Sequence, residues 1–339
     1  MGEDLEKLKQ RLSLLDYLRQ QNWSARPTGH GVEFVGLCPL HAETRPSFYV
    51  NARKNLFYCH GCGQGGDLIR FVQLSRHLSF RQSLTYLEQH KAAAEAGAVL
   101  KETAAFYHRQ WPHYPEALGY LQQRGVHDAA LLQELHMGYA PGGSLRCHLT
   151  AQGYSLDLLR RIGLVNAQGH DAFYRRVVFP CYQDEWVVNL YGRSLDAGFA
   201  HRFLPGSKGG LFAWEAVRRF PSVILVEGMF DLAVLWQAGF RHTTCALGTH
   251  LTPDQFRQLC DRPRTVYLTF DVDANGSGQQ AAQALAPRLR AQGISTRRVL
   301  LPSGHDPNSF FVQGGEARQF HSLLEEAHHE VPRHPLSDP

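Results

Sequence analysis

No stretch of the 339 residues comes near the roughly 18 consecutive apolar residues that a bilayer-spanning helix needs. That excludes an integral helical membrane protein. The first twenty residues, "MGEDLEKLKQRLSLLDYLRQ", are charged and amphipathic, so they do not form a secretory signal. "MGEDLE" also lacks the Ser or Thr of a myristoylation signal. A cytoplasmic protein is expected. No G-x-x-x-x-G-K-[ST] loop occurs, which excludes a fused P-loop helicase. There is no internal repeat. The seven cysteines are an odd number in a chain without a secretion signal, which argues against a disulfide framework.

What remains is ordinary globular material, 43% hydrophobic and 19% charged, enough for two or three domains. Net charge is only +4, but its placement is uneven. Residues 160–219 hold nine Lys/Arg against five Asp/Glu, and the remainder is balanced at 26 against 26. A local basic excess is the electrostatic footprint of a polyanion site; a solvated surface with a chance bias is the alternative. Cys147, Cys181, Cys245 and Cys260 are scattered among apolar neighbours and read as buried, inert thiols.

The leucines at 5, 8, 12, 15 and 18 predict one helix over residues 3–20. Residues 31–60 alternate short β-like runs with Gly, Pro and Asn, as in a small sheet. Helical text runs from 66 to about 110, with a boundary near 95–100, and residues 101–165 read as small packed helices. Strand-like text returns over 172–213. After 220 the pattern becomes strand–helix alternation. "SVILVE", "TTCALG", "TVYLTF" and "TRRVLL" are strands, separated by "DLAVLWQAG", "TPDQFRQLC" and residues 277–292 as helices. Thr252 and Pro253 supply a helix start. Repeated βα units imply a parallel sheet with right-handed crossovers. "EEAHHEVPRHPLSDP" is expected to be a frayed polar tail.

Cys38-x2-His41 and, seventeen residues on, Cys59-x2-Cys62 have the spacing of a zinc ribbon. Each pair bends the chain into a knuckle, and the hairpin between brings the knuckles together. Four protein ligands leave no open position, so the metal is structural. His60 is a rival ligand, but its place between two ligands makes chelation awkward. The hairpin also carries Arg45, Phe48, Tyr49, Arg53, Lys54, Phe57 and Tyr58. Interleaved cations and aromatics suit single-stranded nucleic acid, although Phe48 and Phe57 read better as the ribbon's own core.

In an open parallel sheet, ligands bind at the carboxyl ends of the strands. "VILVEGMFD" brings Glu227 to one such end and Asp231 into the next helical turn. "YLTFDVDANGSG" brings Asp271 and Asp273 to another, and "LPSGHDPNSF" puts Asp306 just after a third. Hard oxygen ligands grouped this way suit Mg2+ or Mn2+. Such ions activate an attacking 3′-hydroxyl and stabilise a leaving pyrophosphate.

"VEGMFD", "ALGTHL", "DVDANGSG" and "GHDPNSF" resemble the motifs of the TOPRIM fold. With "CPLH…CHGCGQGGDLIRFV" in front, and "YRRVVFPCYQDEWVVNLYGRSL" and "HRFLPGSKGGLFAWEAV" between, residues 1–325 resemble bacterial DnaG-type DNA primases. The resemblance implies an α+β and α/β multidomain protein. Its parts would be a CHC2-type zinc ribbon domain over 1–95, a mixed α+β basic subdomain over 96–220, a TOPRIM catalytic domain over 221–325 and a polar tail over 326–339.

It also implies roles. Cys38, His41, Cys59 and Cys62 would hold one zinc in a template-reading ribbon, with Arg45 and Lys54 on the nucleic acid. Glu227 would be the first acid of the catalytic site, as metal ligand or proton acceptor. Asp271 and Asp273 would bind Mg2+ or Mn2+, supported by Asp231 and Asp306. Arg176, Arg193, Arg202 and Lys208 would contact template or nucleotide phosphates. Asn308 stands where family members often carry a second Asp. The implied activity is de novo RNA primer synthesis on single-stranded DNA from NTPs. The chain stops soon after the catalytic fold, where replicative primases usually continue into a helical domain that docks on the replicative helicase. A role for a plasmid, phage or integrated element is the expectation from length, with a replicative helicase or a replication protein of that element as partner. The rival readings are a TOPRIM nuclease or topoisomerase-like enzyme and a non-catalytic single-stranded DNA-binding protein.

Overall fold

The computed structural model describes residues 12–29, 31–184, 186–272 and 276–329. The chain divides between Glu95 and Ala96 into two compact units. No helix among the described residues is long and apolar enough to cross a membrane.

The first unit opens with α1 (Leu14–Gln20). Ser13 is its cap: the residue is extended and its Oγ accepts the Asp16 N–H at 3.1 Å. The leucine periodicity predicted one helix from residue 3, but the hydroxyl at 13 starts the helix at Leu14; residues 1–11 lie outside the described residues. Five strands follow, β1 (Ala25–Thr28), β2 (Glu33–Gly36), β3 (Phe48–Asn51), β4 (Leu56–Cys59) and β5 (Gly65–Gly66). They form one antiparallel sheet in chain order. Period-two alternation puts Phe48, Val50, Phe57 and Cys59 inside and leaves Tyr58 outside. Phe48 has no exposure and packs on Trp23, Phe57 and Phe71 with ring centroids 5.4, 5.1 and 5.9 Å away. Truncating it to Ala would cost about 3–5 kcal/mol. The predicted core role of Phe48 and Phe57 holds. α2 (Leu68–Arg76) begins at the Asp67 cap and ends at His77, which is left-handed with φ 54°. α3 (Phe80–His108) follows, so the helical text over 66–110 is two helices.

In the second unit a 3-10 turn (Trp111–His113) leads into α4 (Pro115–Gln123), α5 (Ala129–Glu134), β6 (Gly138–Ala140), α6 (Leu145–Ala151), α7 (Leu156–Arg161), β7 (Arg176–Gln183), β8 (Trp186–Ser194) and β9 (Arg202–Phe203). The four strands form an antiparallel sheet in the order β6-β7-β8-β9. β6 lies inside the 101–165 stretch whose sequence predicts packed helices. Three residues are too few for a periodic signal, and the strand exists because β7 pairs with it.

α8 (Trp214–Val217), β10 (Ser222–Val226), α9 (Met229–Gln237), β11 (Thr243–Cys245), α10 (Pro253–Leu259), β12 (Thr265–Leu268), α11 (Ser277–Arg290), β13 (Ser295–Arg298), α12 (Pro307–Val312), α13 (Ala317–Glu325) and β14 (His328–His329) complete the unit. The second sheet has the order β11-β10-β12-β13-β14. Its first four strands are parallel. β10 lies between two neighbours with Val223 to Val226 fully buried, which explains its unbroken apolar run. β14 pairs antiparallel with β13, so the start of the expected tail is part of the sheet. Residues 330–339 lie outside the described residues.

One hydrophobic core runs through residues 111–327. Phe179 of β7 packs edge-on against Phe230 of α9 at 5.8 Å and against Phe212 at 6.2 Å. Phe212 also donates its N–H to the Cys245 carbonyl at 3.0 Å, at the edge of the parallel sheet. The antiparallel and parallel sheets are therefore halves of one packed body. Of the scattered cysteines, Cys181 and Cys245 are buried and Cys260 is half-buried; Cys147, expected inside, is exposed on α6.

Candidate functional site

The ribbon's four predicted ligands converge. The ligand atoms of Cys38, His41, Cys59 and Cys62 all lie within 4.8 Å of one another. Zn–S bonds near 2.3 Å make a tetrahedron with edges of about 3.8 Å, so this Cys3His set fits zinc. His60 turns outward and packs edge-on against Tyr49 and Tyr58 at 5.2 and 5.0 Å. The histidine that gathers with the three cysteines is His41.

Glu43, not expected from the sequence, ties the tetrad together. Its Oε1 accepts the N–H of Cys38 at 2.7 Å and of Ser47 at 3.2 Å. Its Oε2 accepts Ser47 Oγ at 2.5 Å and lies 3.2 Å from His41 Nε2. Ser47 Oγ in turn lies 3.2 Å from Cys59 Sγ. The bond from the Ser47 hydroxyl holds the Glu43 carboxyl below its ordinary range. A carboxylate on one ring nitrogen fixes the tautomer and leaves the other for metal. Here that other nitrogen is Nδ1, 3.9 Å from Cys59 Sγ. The only sequence signal was an acid two residues beyond a ligand histidine.

At the parallel sheet, Glu227 directly follows β10 and Asp271 lies just beyond β12, so both stand at carboxyl ends of neighbouring strands. Glu227 Oε1 accepts the Asp271 N–H at 3.2 Å. The Glu227 carbonyl accepts the Gly248 N–H at 3.0 Å and the Cys245 thiol at 3.2 Å. Gln279 on α11 reaches back to the Phe270 carbonyl at 3.1 Å. Gly278 sits under the pair. A Cβ there would come within 2.5 Å of Glu227 Oε1 and 2.7 Å of the Asp271 carbonyl, so only glycine fits.

The other acids have first tasks other than ligation. Asp231 is 5% exposed, and both its oxygens are engaged: Oδ2 by the Gly228 N–H and Oδ1 by the Asn308 N–H, each at 3.0 Å. Burial, with the charges of Asp306 and Asp271, raises its pKa well above the ordinary carboxylate value. Asp306 caps α12, accepting the Ser309 N–H at 2.5 Å. Asn308 Nδ2 donates to the Arg124 carbonyl at 2.6 Å, a bond that an aspartate could not make. Among the described residues the cysteine–histidine tetrad is the group whose ligand atoms gather closely; those of Glu227, Asp231, Asp271 and Asp306 do not. Asp273 lies outside the described residues.

Register sorts the predicted cations on the antiparallel sheet. Arg176 pairs with Ser194 and Arg202 with Gly192, so these two share one face. Arg193 pairs with Val177 and shares the opposite face with Tyr191 and Phe203. Burial opposes the Arg193 charge, but hydrogen bonds and charge from Tyr191 and Tyr120 more than offset it and raise its pKa. Lys208 Nζ lies 4.8 Å over the Phe203 ring. His201 is lowered by burial and then by the charges of Arg193, Lys208 and Arg176. Arg45 and Lys54, both exposed, belong to the separate ribbon unit.

Residues 2–101 match the CHC2 zinc finger family, residues 106–215 the N-terminal domain of the DNA primase catalytic core, and residues 224–311 the Toprim-like family. A DNA primase of Synechocystis sp. is 27% identical over 95% of this chain and 57% of its own length. A DNA primase of Aquifex aeolicus is 29% identical over 93% of this chain and 68% of its own. The chain thus spans little more than half to two thirds of these relatives. The crystal structure of the zinc-binding and RNA polymerase domains of the Aquifex aeolicus primase superposes with a TM-score of 0.62 at 27% identity, covering 96% of this chain and 85% of that one. The three segments follow one another here as the resemblance implied, on a zinc ribbon, a mixed α+β core and a parallel Toprim sheet. The chain carries, in this order, the CHC2 zinc finger, the N-terminal domain of the DNA primase catalytic core and a Toprim-like domain, and over nearly its whole length it is similar to bacterial DNA primases.

Proposed function

We propose that this chain synthesises short RNA primers de novo on single-stranded DNA. The observation that carries the reading is the Glu227–Asp271 pair at the carboxyl end of the parallel sheet, built on the same core as the Arg176, Arg193, Arg202 and Lys208 sheet. An acidic site and a cationic face in one packed body are what nucleotidyl transfer to a template-bound nucleotide requires.

Glu227 and Asp271, with Asp273, would hold the divalent metal, Mg2+ or Mn2+, which supplies Lewis-acid charge at the 3′-hydroxyl and the leaving pyrophosphate. The chain's own groups do the positioning. The Asp271 N–H fixes the Glu227 carboxyl, and Gly278 lets α11 pack closely against both acids. Asp231 anchors the first turns of α9 and α12 to each other beneath the site. Arg193 and Lys208 hold phosphate charge as fixed cations, and Arg176 and Arg202 face the template. The ribbon, with Arg45 and Lys54, reads the template strand and is held by structural zinc.

The test is de novo synthesis on unprimed single-stranded DNA with labelled NTPs and Mg2+ or Mn2+. Asp271→Ala and Asp273→Ala should abolish synthesis and leave DNA binding largely intact. Synthesis by either variant would overturn the acidic assignment. Metal-dependent nicking without synthesis would move the protein to the nuclease reading.

A further inference from the structure

Arg176 and Arg202 clamp two loops to each other. Arg176 Nη1 donates to the Ala200 carbonyl at 2.8 Å and to the Gly192 carbonyl at 3.0 Å. Arg202 Nη1 donates to the Ala172 carbonyl at 3.0 Å. The bonds run in opposite directions between segments 172–176 and 199–202. Arg175 adds a third tie, its Nε 3.3 Å from Asp196 Oδ2. These guanidinium groups are spent on holding backbone as well as on making charge.

Each clamped segment carries one large ring into solvent. Tyr174 and Phe199 are both 66% exposed, the highest values for large hydrophobic side chains among the described residues. Tyr174 is not loosely hung. Its ring lies so close over Gly142, which has φ +90°, that a Cβ there would come within 2.5 Å of Cδ2. One side of the ring is backed by main chain while most of the residue faces water. Arg176 and Arg202 stand in the same two clamped segments as the rings, and burial, then the charges of Arg202 and Arg193, depress the Arg176 pKa. Protein-docking patches are contiguous and apolar. Here each ring shares its segment with arginine, Tyr174 with Arg175 and Arg176 and Phe199 with Arg202, the combination that takes bases on π-faces and phosphates on guanidinium groups.

We propose that Tyr174 and Phe199 form a two-ring stacking step for the bases of single-stranded DNA, presented by the Arg176–Arg202 clamp. The step rests on the template-binding reading above and adds to it the residues that grip bases rather than phosphates. Stacking tolerates any base, so the step binds without reading sequence.

Full-length protein, wild type and Tyr174→Ala, Phe199→Ala, Tyr174→Phe and Arg202→Ala, is titrated with a fluorescent oligo-dT over a salt series, and with an oligonucleotide carrying 2-aminopurine. Each Ala variant at a ring should bind about 5- to 100-fold more weakly with an unchanged salt slope. Tyr174→Phe should keep wild-type affinity, which separates a lost π-face from a disturbed loop. Arg202→Ala should lower the slope by about one. The 2-aminopurine quenching of the wild type should disappear in the Ala variants. Unchanged affinity and quenching in the Ala variants would overturn the stacking step and leave template binding standing. A wild type that binds no DNA would overturn both. Loss of self-association, with DNA affinity unchanged, would assign the rings to a protein contact and overturn the step as well.

Discussion

Glu227 and Asp271 are 44 residues apart in sequence, yet the side chain of one accepts the main-chain N–H of the other at 3.2 Å. The bond joins the ends of β10 and β12, so the first acid of the site is aimed by the strand that carries the second. Disturbing either strand end disturbs both carboxyl groups.

Gly278 tests that coupling without touching either acid. In a helix, Gly→Ala ordinarily gains up to about 1 kcal/mol. Here the added Cβ meets Glu227 Oε1 and the Asp271 carbonyl. Gly278→Ala should lose on the order of 100-fold in primer synthesis, the penalty of an ångström-scale misplacement. Its circular dichroism should remain native. Full activity would show that the acids tolerate movement.

Glu43 is expected to act on zinc through His41 and Ser47. Glu43→Gln should weaken zinc binding by about 10- to 100-fold, read by competition with a chromophoric chelator. The visible spectrum of the cobalt-substituted protein should shift, because the imidazole loses its carboxylate partner. Equal zinc affinity in wild type and variant would contradict this role.

Asn308→Asp would install the second acid that the resemblance leads one to expect there, and it should be harmful. The Arg124 carbonyl would lose its donor, and Asp231 would gain another negative neighbour. A cost of about 1–3 kcal/mol is expected, visible as a fall in Tm of roughly 2–10 °C. Unchanged Tm would mean that the carbonyl finds another partner.

Asp231 gives a pH signature. Its folded pKa is raised, so the native state binds its proton more tightly than the unfolded chain does. Its contribution therefore favours folding below the ordinary carboxylate value, near pH 4, and declines as pH rises through the raised one. Asp231→Asn has no such titration. Measured as Tm from pH 4 to pH 8, the variant should gain on the wild type as pH rises. A pH-independent difference would argue that Asp231 ionises normally in the fold.

The parts legible in the sequence were those with strong local signals. Two C-x2-C/H knuckles announce the tetrad, and an unbroken apolar run ending in Glu227 announces a buried parallel strand. The parts that were not legible depend on partners distant in the chain. β6 and β14 are too short to show a period and exist through β7 and β13. Ser13 interrupts a leucine spacing that by itself continues. Glu43 gathers backbone from Cys38 and Ser47, which no spacing rule encodes. Asn308 reads as a missing acid, whereas its amide answers a carbonyl 184 positions earlier.

The core shared by Phe179, Phe212 and Phe230 also shapes how the protein is made. Synthesis from the N-terminus delivers β7 and β8 well before β10, α9 and β12 have left the ribosome. Until those later segments arrive, the inner face of the antiparallel sheet has only upstream partners such as Leu131, Leu135 and Met137, and the apolar surface left over invites aggregation. The basic half of the catalytic unit thus completes its cover only when the later segments of its own chain emerge.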